Sequence, residues 1–192
     1  MNSAISEHEV ELTFGTGSES PGPDHISASL IDKADRVHMT NCLLFVWNQA
    51  WSHGQFFQEW KRELRVVIPK PGKDDYHDCG AYRTISITSC LGKRFERITS
   101  KRLIAILAEV HFDPLQFAYL KNRSTTQALL IVTEKVKQGL IAGKKAGAVF
   151  FDFTDAFGRV DRKCLLYKIA KDFGITGKLF LHIASFFVRT FG

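Results

Sequence analysis

Cysteine is scarce in this 192-residue chain and never arranged in pairs. Cys42, Cys79, Cys90 and Cys164 stand far apart with no C-x-x-C spacing. That excludes a zinc module of ordinary ligand spacing, and it points to reduced thiols, an intracellular setting and no disulfide-linked partner. His77-Asp78-Cys79 could supply one pair of ligands, but no second pair accompanies it. No apolar run approaches the roughly 18–20 residues of a membrane span, so no membrane partner is expected. The opening Met1-Asn2-Ser3-Ala4-Ile5-Ser6-Glu7 has neither a basic start nor an apolar core, so it does not read as a secretory signal. Internal repeats and low-complexity segments are also missing. With 45% apolar and 24% charged residues, the composition is that of a globular chain, suited to one domain or one and a half.

Net negative charge is confined to the beginning. Residues 1–60 carry two bases against eight acids, a net of −6. Residues 61–110 carry eleven bases against six acids, and residues 111–192 carry thirteen against six, nets of +5 and +7. A basic remainder behind an acidic first third suggests a surface that faces a polyanion, with nucleic acid the leading candidate. The plainer alternative is a solvated basic face.

The pattern along the chain is α+β and helix-rich. Residues 1–19 read as a weakly structured N-terminal segment ending in the loop Gly15-Thr16-Gly17-Ser18-Glu19. Ser20-Pro21-Gly22-Pro23-Asp24 is a stiff turn, because each proline fixes φ. The spacing of Leu30, Ile31, Ala34, Val37, Leu43, Leu44, Val46 and Trp47 predicts one helix from about Ser27 to Trp51. Leu64–Pro69 and Tyr82–Ile87 read as two strands around a Lys70-Pro71-Gly72-Lys73 turn, a basic-tipped hairpin. Ser89 to about Val110 is an amphipathic helix striped by Leu91, Phe95, Ile98, Leu103, Ile106 and Leu107, with Arg94 and Arg102 assigned to its other faces. Helices are also expected from Ser124 or Thr125 to Leu140, near 161–173 and near 176–189. Strands this few call for further sheet partners, and the expectation is part of a larger unit.

The stretch Ala148-Val149-Phe150-Phe151-Asp152-Phe153-Thr154-Asp155-Ala156-Phe157 concentrates the chemistry. Its apolar run reads as a buried strand delivering Asp152 at its end. A buried carboxylate is costly unless paired, and Mg²⁺, which takes oxygen ligands together with substrate phosphates, is one suitable partner. The alternative is that Thr154 or Asp155 simply caps a following helix.

Several further segments carry a resemblance. Ser20-Pro21-Gly22-Pro23-Asp24 is similar to S-P-G-P-D-G-I, with His25 in place of glycine. Gly54 to Lys61 resembles G-x-x-P-x-x-W-K, with Phe57 where proline is usual. Val67-Ile68-Pro69-Lys70-Pro71-Gly72-Lys73-Asp74 matches I-P-K-P-G-K-D, and Ala81 to Ser86 resembles Y-R-P-I-S with Thr84 for proline. Gln116 to Thr125 resembles Q-x-G-F-R-x-x-R-S-T, with Ala118 and Leu120 as departures. Phe151 to Phe157 resembles F-D-x-S-x-A-F. In this order the motifs resemble those of the reverse transcriptases of non-LTR retrotransposons, over roughly residues 20–190.

The resemblance implies a right-hand polymerase fold, with fingers over about 20–145 and an incomplete palm over about 146–192. It implies RNA-directed DNA synthesis from an RNA template, a DNA primer and deoxynucleotides, with Mg²⁺ as cofactor in a two-metal displacement. Asp152 would be the catalytic metal ligand, with the Phe153 carbonyl beside it. Lys70, Arg83, Asp155, Ala156 and Phe157 would meet the nucleotide, Phe157 as a steric gate against a 2′-hydroxyl. Lys121 and Arg123 would meet the template backbone. The family's second catalytic motif carries two adjacent aspartates, and no such pair follows Asp74-Asp75. The expectation is therefore a chain that does not polymerise by itself, or a non-catalytic nucleic-acid-binding module derived from that fold. Phe150, Phe151 and the Phe186-Phe187 helix are expected to leave apolar surface uncovered.

Overall fold

The structure is a computed structural model that describes residues 2–15, 20–107, 112–154, 156 and 158–187. It divides into two compact units, residues 1–107 with 162–192, and residues 108–161. The boundary between fingers and palm expected near residue 145 falls inside the second unit.

The first unit holds α1 (Glu7–Glu11), α2 (Ala28–Lys33), α3 (Arg36–Ser52), α4 (Gln58–Lys61), β1 (Glu63–Pro69), β2 (Tyr82–Thr88), α5 (Cys90–Leu107), α7 (Arg162–Lys171) and α8 (Gly177–Phe187). The second holds α6 (Thr125–Ile141). Among the described residues β1 and β2 form a two-stranded antiparallel sheet, so the α+β expectation holds at this level.

Aromatic residues fill the core of the first unit. Phe95 of α5 is wholly buried among Trp47 of α3, Phe56, Trp60 of α4 and His182 of α8. Ring size explains the arrangement: each aromatic buries a large area, and edge and offset contacts favour such clusters. Ile98, Ile175 and Leu179 extend the core. Gly22 fits the chain tightly against this unit, since a Cβ there would lie 2.7 Å from the Ser89 nitrogen. Only a glycine permits that approach between Pro21 and Pro23.

Four expectations change. The N-terminal segment is not weakly structured over residues 2–15. Ser6 and Glu9 form a reciprocal capping box that starts α1. Ile5, Val10 and Phe14 enter the core, while the Asn48 side chain bonds both the N–H and the carbonyl of Ile5 at 2.7 and 3.0 Å. Asn2 reaches α8, accepting from the Lys178 N–H at 2.8 Å. Residues 16–19 lie outside the described residues.

The helix expected over Ser27–Trp51 is two helices. Ala34 turns extended and the Asp35 carboxylate accepts from the His38 N–H at 2.9 Å, starting α3 afresh. A good N-cap here outweighs continuous helical periodicity.

Arg94 is buried rather than outward-facing. It donates to Asp32 at 2.8 Å and to the Ala28 carbonyl at 3.2 Å, joining α5 to α2. Charge assigned it to other faces of the helix; Nη2 is the bonded nitrogen, and the guanidinium lies 5.4 Å over the Phe14 ring.

The run 148–153 is neither buried nor a strand. It has no regular structure, and Val149, Phe150, Phe151 and Phe153 are 77–90% exposed. An extended segment needs ladder partners for its N–H and C=O groups, and β1 and β2 pair only with each other. The uncovered apolar surface expected at Phe150 and Phe151 is therefore present, and Phe186 is 41% exposed.

The second unit has no buried residue among those described. Its helix α6 begins as read: Ser124 and Gln127 make a capping box, with bonds of 3.2 and 2.9 Å. Gly143, at φ +69°, comes just after its end in the left-handed conformation suited to glycine. Leu129, Leu130, Val132 and Leu140 of α6 remain exposed. Among the described residues no helix is long and apolar enough to cross a membrane, and the four cysteines are free thiols.

Candidate nucleic-acid interface

The β1–β2 ribbon is in register from Glu63 opposite Thr88 to Pro69 opposite Tyr82, which sets Arg83 opposite Ile68. Pro69 ends the ladder as a strand-end proline should. Beyond it the 70–81 connection is closed by its own polar groups. The Lys70 N–H donates to the Ala81 carbonyl at 2.8 Å, and the Lys70 ammonium donates to the Gly80 carbonyl at 2.9 Å. The Tyr76 hydroxyl donates to the Lys70 carbonyl, and the Tyr82 hydroxyl to the Tyr76 carbonyl, both at 3.0 Å. The Asp78 side chain caps the short 3₁₀ turn Cys79–Ala81.

This connection forms one wall of a recess of ≈ 570 Å³ lined by Val67, Lys70, Cys79, Tyr82, Arg83 and Thr84. Lys70 and Arg83, both assigned to the nucleotide, line this one recess. Two cations in one recess suit an anionic ligand with more than one charged group, such as a polyphosphate. Lys73 stays at the exposed tip. The Tyr76–Tyr82 pair that braces the connection, with rings 6.1 Å apart, escaped sequence reasoning. Its only signal was Tyr76 and Tyr82 flanking the turn.

In the second unit Arg123 donates to the Pro114 carbonyl at 2.6 Å and lies over the Phe117 ring at 5.4 Å. Its guanidinium therefore helps to fold the 113–124 loop, while the side chain remains exposed beside the exposed Lys121. Asp152 is exposed, and its carboxylate accepts from the neighbouring Phe153 N–H at 2.9 Å. Ala156 is an exposed turn residue, whereas Asp155 and Phe157 lie outside the described residues. Among the described residues no three His, Cys, Asp or Glu side chains gather as a metal site. One exposed carboxylate with a backbone carbonyl is an incomplete oxygen set, so the described residues do not by themselves fit a Mg²⁺ site.

A second cavity, of ≈ 450 Å³, lies in the first unit among α5, α7 and α8, where Leu103, Leu165, Ile169 and Phe186 surround Glu96 and His182. Burial pushes the Glu96 carboxyl up to about 7, against the pull of Lys93. Burial likewise lowers His182 to about 4, opposed by its bond to the Gln55 backbone. A raised carboxyl stabilises the fold below its unfolded value and loses that contribution as pH rises from 4.5 through about 7. Glu96→Gln should therefore raise stability by about 1 kcal/mol at pH 8, after allowing for partial solvent screening, and by nearly nothing at pH 4. Thermal melts at the two pH values check this; an equal offset at both would contradict it.

A family model described as "Reverse transcriptase (RNA-dependent DNA polymerase)" matches residues 68–191, well over half of the chain. The chain belongs to the reverse transcriptase family. Its similarities place it with the non-LTR retrotransposon enzymes. It is 33% identical over 157 residues to a probable RNA-directed DNA polymerase from transposon BS of Drosophila melanogaster, covering 81% of this chain and 17% of that protein. It is 29% identical over 161 residues to a retrovirus-related Pol polyprotein from type-1 retrotransposable element R1 of Bradysia coprophila, covering 82% of this chain and 16% of that protein. It is 31% identical over 145 residues to the RNA-directed DNA polymerase from mobile element jockey of Drosophila funebris, covering 75% of this chain and 16% of that protein. The chain spans about a sixth of the length of these curated relatives.

Proposed function

We propose that this chain is the nucleotide- and template-contacting part of a retrotransposon RNA-directed DNA polymerase, with residues 20–145 as fingers and 146–192 as part of the palm. The observation that carries the reading is the joint lining of one recess by Lys70 and Arg83, inside the family match. Paired cations on a strand end and its connection can hold the triphosphate of an incoming deoxynucleotide. Arg83 offers a planar fork of donors to phosphate oxygens; Lys70 adds a point charge and is already oriented by the Gly80 carbonyl. Lys121 and Arg123 meet the template backbone, contacts that position a strand without reading its bases. The resemblance to F-D-x-S-x-A-F assigns Asp155 and Ala156 to nucleotide contact through their backbone. Phe157 closes the space that a ribose 2′-hydroxyl would need.

Divalent metal belongs to the chemistry of this family, and Asp152 is the residue assigned to hold it. Its oxygen set among the described residues is incomplete, so we assign the isolated chain binding rather than synthesis. Two assays test this. With an RNA template, a DNA primer, deoxynucleotides and Mg²⁺, the purified chain should give no extension; template-directed extension would contradict the reading. Equilibrium binding of a fluorescent deoxynucleoside triphosphate should weaken about tenfold in Arg83→Ala and in Lys70→Ala, the scale of a hydrogen bond to a charged group. Unchanged affinity in both variants would contradict it as well.

A further inference from the structure

Tyr119 is held in a backbone conformation that its side chain disfavours, and its ring stands in solvent. Its φ is +62°, a left-handed value that costs a non-glycine residue free energy, and three residues on Asn122 repeats it. Asparagine tolerates that region; tyrosine seldom enters it. The ring is 88% exposed, so no packing within the unit offsets the cost.

The loop around it is fixed at both ends. Asp113 accepts from the Leu115 N–H at 2.7 Å, and its carbonyl accepts from the Gln116 N–H at 2.9 Å. Arg123 ties back to the Pro114 carbonyl and covers Phe117, and the Ser124 capping box anchors the far end of the loop to the first turn of α6. An aromatic ring is therefore projected outward from a braced loop at some local cost. Strain of this kind, over-determined by its surroundings, is a recurrent sign of a binding element. The surrounding charge indicates the ligand: Lys121 and Arg123 lie within four residues, and no acid occurs between Asp113 and Glu134.

We infer that Tyr119 is a stacking platform for an unpaired base of a single-stranded nucleic acid whose phosphates run past Lys121. An aromatic face flanked by cations is how proteins hold single strands without reading sequence, because every base presents a π-face. The inference rests on the nucleic-acid reading above and adds to it a residue that recognises bases rather than phosphates.

The test uses the full chain and short single-stranded RNAs carrying one 2-aminopurine, placed at each position in turn. Anisotropy gives affinity across a salt series, and 2-aminopurine fluorescence reports stacking. Tyr119→Phe should bind as the wild type does. Tyr119→Ala and Tyr119→Gly should bind about 5- to 100-fold more weakly, the range for losing one stacked base, and should lose fluorescence quenching at one position. Glycine relieves the left-handed backbone, so weaker binding in that variant does not come from strain at residue 119. Both variants should keep the salt slope, since stacking releases no counterions, whereas Lys121→Ala should reduce it by about one. Affinity and quenching unchanged in the alanine and glycine variants would overturn this inference alone. Absence of wild-type binding at low salt would overturn it together with the nucleic-acid reading.

Discussion

Replacing Phe95 with alanine should lower the stability of the first unit by about 3–5 kcal/mol, the range for truncating a buried aromatic. Phe95 is wholly buried and meets four rings: Trp47 at 5.9 Å, Phe56 at 6.3 Å, Trp60 at 5.5 Å and His182 at 4.6 Å. Large flat neighbours cannot close around the missing ring without moving several elements, so a cavity remains. Urea unfolding monitored by tryptophan fluorescence measures the loss, because Trp47 stacks on Phe95 and Trp60 meets it edge-on. A loss below about 1 kcal/mol would show that the cluster is not the keystone of this core.

Arg102→Ala should cost about 2 kcal/mol, the scale for losing hydrogen bonds to a charged group at a half-buried site. Arg102 donates to both carboxylate oxygens of Glu9 at 2.7 and 2.6 Å, to the Ser3 and Ala4 carbonyls at 2.7 and 2.9 Å, and lies 4.8 Å over the Trp51 ring. One side chain thus fastens the N-terminal segment to α5 and α3. The Arg102 guanidinium holds the Glu9 carboxyl down at about 2. A lowered carboxyl stabilises the fold above its unfolded value, and the contribution is lost as pH falls from 4.5 through about 2. The gap between wild type and Arg102→Ala should accordingly be largest near neutral pH and shrink in acid. A gap independent of pH would show that the effect is packing on Trp51 alone.

Local signals carried much of this fold. Alternating residues around Lys70-Pro71-Gly72-Lys73 set the hairpin, because a turn and two strand runs are encoded within about twenty residues. Ser124 and Gln127 located the start of α6 for the same reason. The pattern Ser6-x-x-Glu9 is the same kind of signal and marks α1, although the segment reads as weakly structured. What sequence could not show was long-range pairing. Nothing in residues 1–15 announces that Asn48, Arg102 and the start of α8 will hold them. Arg94 looked like a surface charge because its partner Asp32 stands sixty-two positions away.

The candidate site divides in the same way. Lys70 and Arg83 were legible individually, and the register of two strands brings them to one recess. Asp152 was legible as a metal-ligand type, but its setting was not. A run of Val149, Phe150 and Phe151 has strand propensity, yet becomes a strand only beside another strand. Tyr119 stands where the motif Q-x-G-F-R-x-x-R-S-T has phenylalanine, but the sequence assigned it no role; its backbone angle is what distinguishes it.

Binding of this chain to an RNA–DNA hybrid, measured across a salt series, is the most direct test of the central claim. The expected result is a negative slope of log K against log salt of about −2 or steeper, since Lys121 and Arg123 contribute roughly −0.9 each. The slope should become shallower by about two in a Lys121→Ala, Arg123→Ala double variant that keeps the wild-type melting temperature. Binding without salt dependence, or no binding at low salt, would contradict the assignment of this chain to the nucleic-acid-contacting part of the polymerase.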